Sequence, residues 1–405
     1  MNSGDTAFML IATAMVMLMT PGLALFYSGL VRSKNVLSTT MQSFVCLGVI
    51  TVIWVLYGYS LAFGPDVGHF IGNFDFVGLK NVGLEPGPYS DTIPDMLFCA
   101  FQLMFAIITP ALITGAIAER MKFGAYLAFI VCWSTFVYFP ICHWVWGQGG
   151  WLGEMGALDF AGGTVIHINS GAAALVAALM LGKRKGYGRD AMHPHNLPIT
   201  VLGAGLLWFG WFGFNAGSAL SAGPVAVLAL MTTQVATGTG LLFWVIAEWK
   251  VQGRPTVLGA ASGALAGLVA ITPAAGFVSP ISALVIGAAA GVICYLAVLA
   301  KGKLGYDDSL DVVGIHGAGG LWGALATGLF ASTAANPGGA DGLFFGNPGQ
   351  FVTQAIGAGA AIAYSVALTF IILKVIDVTI GLRVDTDDET QGLDVTAHGE
   401  VGYSL

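Results

Sequence analysis

Two stretches decide the fold: Asp159-Phe-Ala-Gly-Gly-Thr-Val-Ile-His167-Ile-Asn169-Ser-Gly171 and Asp311-Val-Val-Gly-Ile-His316-Gly-Ala-Gly-Gly320. Each carries an acid, a short apolar run, a histidine and small residues, and each opens a long apolar segment. One lies in each half of the chain. A histidine inside an apolar membrane span is costly and marks a functional site by default. Two in matching places imply a repeated architecture with a site between the halves.

Composition around them points the same way. The 405 residues are 56% hydrophobic and 9% charged, against roughly 25% charged in a soluble domain. Apolar runs of about 20 residues recur, each long enough to cross a ~30 Å hydrocarbon core. They are continuous rather than alternating, which argues against a β-barrel. The 58 glycines are about twice the usual share of roughly 7%. Small residues inside such runs let helices approach closely. Cys46, Cys99, Cys132, Cys142 and Cys294 lie in or beside the runs without paired spacing and read as packing residues.

The expected fold is an all-α polytopic membrane protein with eleven transmembrane helices. The runs lie at 6–30, 37–63, 95–118, 124–147, 161–182, 198–220, 224–247, 256–273, 280–300, 312–332 and 351–376. Residues 1–377 form the membrane domain and 378–405 a tail. Of the 15 lysines and arginines, only Lys80 falls on the opposite side from the rest. By the positive-inside rule the basic side is cytoplasmic, with the N-terminus outside and the tail inside. The start, Met-Asn-Ser-Gly-Asp, has no basic stretch, so no cleaved signal peptide is expected. The long external loop, about 64–94, with Asp66, Asp75, Glu85 and Asp91, reads as an ordinary solvated loop or as a mild attractor of cations.

In this topology the fifth run enters from outside and the tenth from the cytoplasm. His167 and His316 then approach on antiparallel helices. Five spans, five more of inverted topology and one extra helix is the simplest description. If Asp159 opens its helix, His167 lies ~12 Å deep and His316 ~7.5 Å beyond Asp311, at ~1.5 Å per residue. A ~30 Å core would leave a gap of ~10 Å. The rings meet only if both mouths are recessed.

Aromatic residues gather toward the outer side. Phe101 and Phe105, four apart, share a helix face. Trp146 ends the fourth run, and Trp211, Phe214 and Ser218 form a stripe at i, i+3 and i+7. Aromatics at span ends read either as an interfacial belt or as a cup worth ~0.5–2 kcal/mol to a bound cation.

Taken together, these stretches resemble the ammonium transporter (Amt/MEP/Rh) family, on its bacterial Amt branch. The resemblance is carried by Asp159 to Asn169, Asp311 to Gly317, Trp211-Phe-Gly-Phe-Asn-Ala-Gly-Ser218, Phe26-Tyr-Ser-Gly-Leu-Val-Arg32, His195-Asn-Leu-Pro198 and Gly381-Leu-Arg383. It spans essentially the whole chain. It implies a homotrimer of eleven-helix protomers in the inner (plasma) membrane, each with its own pore. It also implies that Phe101, Phe105, Trp146 and Ser218 bind ammonium. Phe105, Phe214, Trp211, His167 and His316 would form the gate and pore.

Physical chemistry gives the implied roles content. A cation at the bilayer centre costs from ~3 to over 10 kcal/mol. Neutral ammonia is far cheaper to desolvate, so an apolar pore suits it once ammonium has lost a proton. An imidazole can donate from one nitrogen and accept at the other, and it titrates near neutrality. Two such rings could line a path and relay the proton; the plainer alternative is a pair of buried histidines bridging helices. Asp159 reads as an N-cap that supports the cation site from behind without touching it. Asp311 reads as a second N-cap, and Asn215 as a buried amide serving local backbone. His193-Pro-His195 could suggest a metal, but without cysteine or carboxylate partners nearby it reads, like His69, His143 and His398, as an ordinary histidine site. No metal, cofactor or nucleic-acid partner is expected, and the protein is not an enzyme.

After Asp377 the chain turns acidic, with Asp385, Asp387, Asp388 and Glu389, and reads as flexible. The resemblance implies that this tail and the 183–196 loop bind a trimeric PII signalling protein, on the strength of Gly381, Asp394 and His398-Gly-Glu400. The alternatives to a transporter are an ammonium sensor with little flux and an Rh-like neutral gas channel. A tail ending at Leu405 leaves no room for an output domain, which disfavours the sensor. Trp146 and Ser218 favour the Amt branch over the gas channel. A membrane redox enzyme is disfavoured because further ligands and nucleotide motifs are lacking.

Overall fold

The computed structural model describes residues 1–403. In chain order its apolar helices are α1 (Ser3–Leu30), α2 (Ser33–Phe63), α3 (Asp95–Ile117), α4 (Phe123–Glu154), α5 (Gly163–Leu181), α6 (Leu197–Gly217), α7 (Pro224–Gln252), α8 (Val257–Ile271), α9 (Pro280–Leu304), α10 (Val313–Gly317 continuing as Ala318–Phe330) and α11 (Pro348–Thr379). Nine are long and apolar enough to cross a membrane among the described residues; α8 and α10 are the shorter two. Their ends follow local chemistry. The Asn2 side chain accepts from the amides of Gly4 and Asp5 to start α1. α7 and α9 stop at Gly253 and Gly305, both left-handed, with lysines in the last turn.

Small residues set how closely the helices approach. A Cβ placed on Gly203 of α6 would lie 2.3 Å from the Phe26 nitrogen of α1. One on Gly291 of α9 would lie 2.4 Å from the Gly240 oxygen of α7. These helices touch backbone to backbone, as packing without a hydrophobic drive between helices requires. The perimeter is apolar: Ile11, Val227, Ile281 and Val378 are all exposed. That surface suits hydrocarbon, where helices satisfy their own backbone groups.

The two ends of the bundle differ. One end carries two short antiparallel hairpins between α2 and α3: β1 (Asp66–Val67) with β2 (Ile71–Gly72), and β3 (Pro86–Gly87) with β4 (Ser90–Pro94). His143 anchors this hairpin face, with Nδ1 2.9 Å from the Ala62 carbonyl and Nε2 2.9 Å from Asp66. The other end, the basic face, is held by ion pairs. Arg32 pairs with Glu119 at 2.7 Å, and Arg184 bridges Glu119 at 3.3 Å and Asp307 at 2.9 Å. Burial raises the Glu119 carboxyl, but the hydrogen bond from Arg32 and the charges of Arg184 and Arg32 outweigh it and hold it below its usual range.

The tail differs from its sequence reading. It forms two short helices, α12 (Thr386–Gln391) and α13 (Leu393–His398), packed on the basic face. Glu389 accepts from the Lys185 amide at 2.5 Å and from Arg383 at 2.7 Å. Asp394 accepts from the Ser38 amide, and Asn35 accepts from Leu393, both at 2.8 Å. Acidic composition suggested a solvated tail; these two acids are instead buried and bonded. Ser404 and Leu405, the end of the expected tail, lie outside the described residues.

Candidate functional site

α5 starts where Gly162 takes φ +116°, a conformation suited to glycine. Beside it, Asp159 accepts four backbone amides. Gly162 and Gly163 donate to one carboxylate oxygen at 2.9 and 2.6 Å, Thr164 and Val165 to the other at 2.8 and 3.1 Å. Among the described residues no lysine or arginine pairs with Asp159. α10 starts differently, and this corrects the reading of Asp311 as an N-cap. The capping acid is Asp308, which accepts from the Val313 amide at 2.8 Å. Asp311 sits at φ +63° and pairs with Lys301 at 2.5 Å. Sequence alone could not choose between two acids three residues apart.

Both helices open with a wide π-type turn, Gly163–Ile168 and Val313–Gly317, and each turn holds its histidine. Such turns concentrate at functional sites. The two Nδ1 atoms lie 3.2 Å apart, with ring centroids at 5.2 Å. The ~10 Å gap estimated from helix depth is closed because the half-helices meet at glycines. A Cβ on Gly171 would lie 2.3 Å from the Gly317 Cα, and one on Gly320 would lie 2.8 Å from the His167 Cβ. Between facing Nδ1 atoms one must donate and the other accept, so the two Nε2 atoms have opposite character. His167 Nε2 is buried with no partner among the described residues. The His167 ring stacks on Trp211 at 5.5 Å and on Phe214 at 6.2 Å. Both histidines line a narrow cavity of about 10 Å³, otherwise walled by Trp211, Phe214, Ile166 and other apolar side chains. That is room for about one water-sized molecule.

Toward the hairpin face a wider cavity of about 290 Å³ is lined by Trp146, Asp159, Ser218, Gln102, Phe160 and Phe277, among others. Trp146 donates its indole N–H to the Asp159 carbonyl at 2.8 Å, which fixes the ring. Ser218 gives its hydroxyl proton to the Phe214 carbonyl at 2.8 Å, leaving oxygen lone pairs to accept. Phe105 lies against Phe214 with centroids at 4.3 Å and edge-on to Trp146 at 6.0 Å. Phe214 also lines the histidine cavity. Phe101 and Phe105 are both fully buried, edge-on to each other at 4.8 Å, and neither lines either cavity. Trp211 donates to Thr272 at 2.8 Å, and Asn215 to Thr233 at 2.8 Å. A third cavity, about 130 Å³, opens toward the basic face beside Phe26, Pro194, Ser262, Asp311 and Ile315.

Sequence reasoning missed Gln102, Phe160 and Phe277. Gln102 left a signal, an amide inside an apolar run. Phe277 left none, because it reaches the cavity from the α8–α9 connection.

The bundle and its cavities, set above and below a buried histidine pair, define a polytopic helical membrane protein. The chain belongs to the Ammonium Transporter Family, whose family model matches residues 7–403. It is 53% identical over 404 residues to an ammonium transporter of Bacillus subtilis, covering 100% of this chain and 99% of that one. It is similar to the solved structure of Saccharomyces cerevisiae Mep2, with TM-score 0.89 and 39% identity over 96% of this chain and 88% of that one. It is also similar to a solved Sensor Amt Protein, with TM-score 0.90 and 30% identity over 98% of each chain. The family is one of transporters rather than enzymes.

Proposed function

We propose that the protein recruits ammonium at the hairpin-face cavity, removes a proton, and conducts ammonia past His167 and His316 toward the basic face. The observation that carries this is the Nδ1–Nδ1 approach of 3.2 Å inside an otherwise apolar cavity. Trp146 and Ser218 supply a π face and an acceptor, with Phe105 packed behind against Trp146 and Phe214, and Asp159 as the acid that no lysine or arginine pairs with among the described residues. Phe101 backs Phe105. The Phe105–Phe214 contact closes the cup below, so a hydrated cation cannot follow. Desolvating a charge there costs several kcal/mol, whereas ammonia needs only a lone donor and acceptor, which the ring pair supplies. The freed proton either stays outside or travels along the rings, and the second route makes transport electrogenic.

The same reading takes α1 to α11 as eleven crossings, five inverted on five with α11 added. The basic side then faces the cytoplasm of a bacterial plasma membrane, with the N-terminus outside. Trimers with one pore each, and a PII partner on the 183–196 loop and tail, belong to it too. A second reading, ammonium sensing with little flux, draws on the likeness to the Sensor Amt Protein over 98% of both chains.

The test is current on a solid-supported membrane carrying proteoliposomes after an ammonium jump, with His167→Ala and His316→Ala in parallel. A saturable current lost in both variants supports proton passage along the rings. Protein-dependent internal alkalinisation without current means neutral ammonia conduction. Neither signal overturns transport and leaves sensing.

A further inference from the structure

We propose that Gln102 is a specificity residue: its amide oxygen accepts an N–H of the cation held in the hairpin-face cavity, which Ser218 also lines. This rests on the reading that ammonium enters there.

Gln102 lies on α3, 9% exposed, and lines the same cavity as Trp146, Asp159 and Ser218. Its Oε1 has no partner among the described residues. A buried amide oxygen left unpaired is costly, and such an atom calls for an explanation. Gln354, 3% exposed, is by contrast satisfied in full, and Gln42, whose Oε1 also has no partner among the described residues, lines none of the cavities described. Gln354 accepts from the Leu158 amide and donates to the Leu158 and Ala324 carbonyls. Gln102 sits one turn from Phe105, so the face of α3 that carries the aromatic contact also presents this amide.

The other polar groups of the cavity are committed. The Asp159 carboxylate is taken by four amides, and its carbonyl by Trp146. Tyr89 donates to the Phe63 carbonyl and accepts from the Gln148 amide. Ser218 Oγ and Gln102 Oε1 therefore remain to accept, set among π faces. A tetrahedral ion with four N–H donors can use both acceptors and still face the rings. Methylammonium has three N–H groups and a methyl that must be placed against a wall, so it gains less from a second acceptor.

The experiment measures saturation of ammonium and methylammonium flux in proteoliposomes for the parent, Gln102→Leu and Gln102→Glu. In Gln102→Leu the half-saturating ammonium concentration should rise about tenfold, the size of one charge-assisted hydrogen bond. Its maximal flux should hold, and methylammonium should shift less. Gln102→Glu keeps an acceptor and should saturate at or below the parent concentration. Unchanged saturation in Gln102→Leu overturns the inference. So does an equal loss of maximal flux for both substrates, which would mean a packing role. If the parent carries no flux, the transport reading fails separately. Calorimetric ammonium binding then decides: about tenfold weaker binding in Gln102→Leu supports the inference, and equal binding overturns it. If Gln102→Leu does not fold, Gln102→Met takes its place.

Discussion

The starts of α5 and α10 use the same device under different loads. Asp159 holds four amides and has no cationic partner among the described residues. On the basic face Asp308 caps α10 through one amide, and Lys301 ties Asp311 while its Nζ also donates to the Asp308 carbonyl at 2.7 Å. Amide dipoles stabilise the Asp159 charge without cancelling it, so a net negative charge remains beside an aromatic cavity. Opposite, Lys301 pairs with one of the two acids at the mouth, Asp311. The difference lies in the counter-charge, since acid, turn and histidine recur on both sides.

The harshest way to break this comparison is to remove each cap. Asp159→Ala strands four amides, each worth about 1–3 kcal/mol when buried and unpaired. It should abolish flux and lower the melting temperature sharply. Asp308→Ala strands one and should cost about a quarter as much on the same scale. Equal losses in thermal melts of the two variants would erase the distinction.

The glycines between the half-helices sharpen it next. Gly171→Ala puts its Cβ 2.3 Å from the Gly317 Cα, whereas Gly317→Ala meets nothing closer than 3.6 Å. Overpacking costs about 1–3 kcal/mol, so Gly171→Ala should lose that much and weaken flux by parting the rings. Gly317→Ala should stay within about 1 kcal/mol of the parent. Denaturation in detergent, with flux alongside, reads both.

The smallest effect is on pH dependence. Burial pushes the Asp308 carboxyl up to about 6, against the charge of Lys301. Its pKa is higher folded than unfolded. The stability it contributes is thus fully present below about pH 4 and lost as pH rises through about 6. Asp308→Asn should flatten stability over that window and gain about 1–2 kcal/mol at pH 7.5. Melting curves at pH 4, 6 and 7.5 check this.

Much of the molecule was legible beforehand. Apolar runs report helices in lipid because nothing else satisfies the backbone there. Each run read from the sequence is helical here, with ends moved by a few residues. His167, His316 and Asp159 stood out because polar groups in such runs are expensive. Phe101 shared a face with Phe105 by spacing, but spacing does not say whether that face meets a cavity; both rings lie buried behind the cavity walls. Asp311 was read as the cap of α10, but it turns at φ +63° and Asp308, three residues earlier, takes the Val313 amide. The tail misled because composition reports average solvation, whereas Glu389 and Asp394 found specific donors.

By itself, then, the sequence determined the helical membrane class, the family, and the two acid–histidine stretches. These are local properties, written in hydropathy and in residues too costly to keep without use. Only the tertiary structure decided that the histidines touch, which aromatics wall the cavity, and that Gln102 faces it. Those facts depend on where recessed half-helices meet, and glycine contacts between segments far apart in the chain set that meeting point.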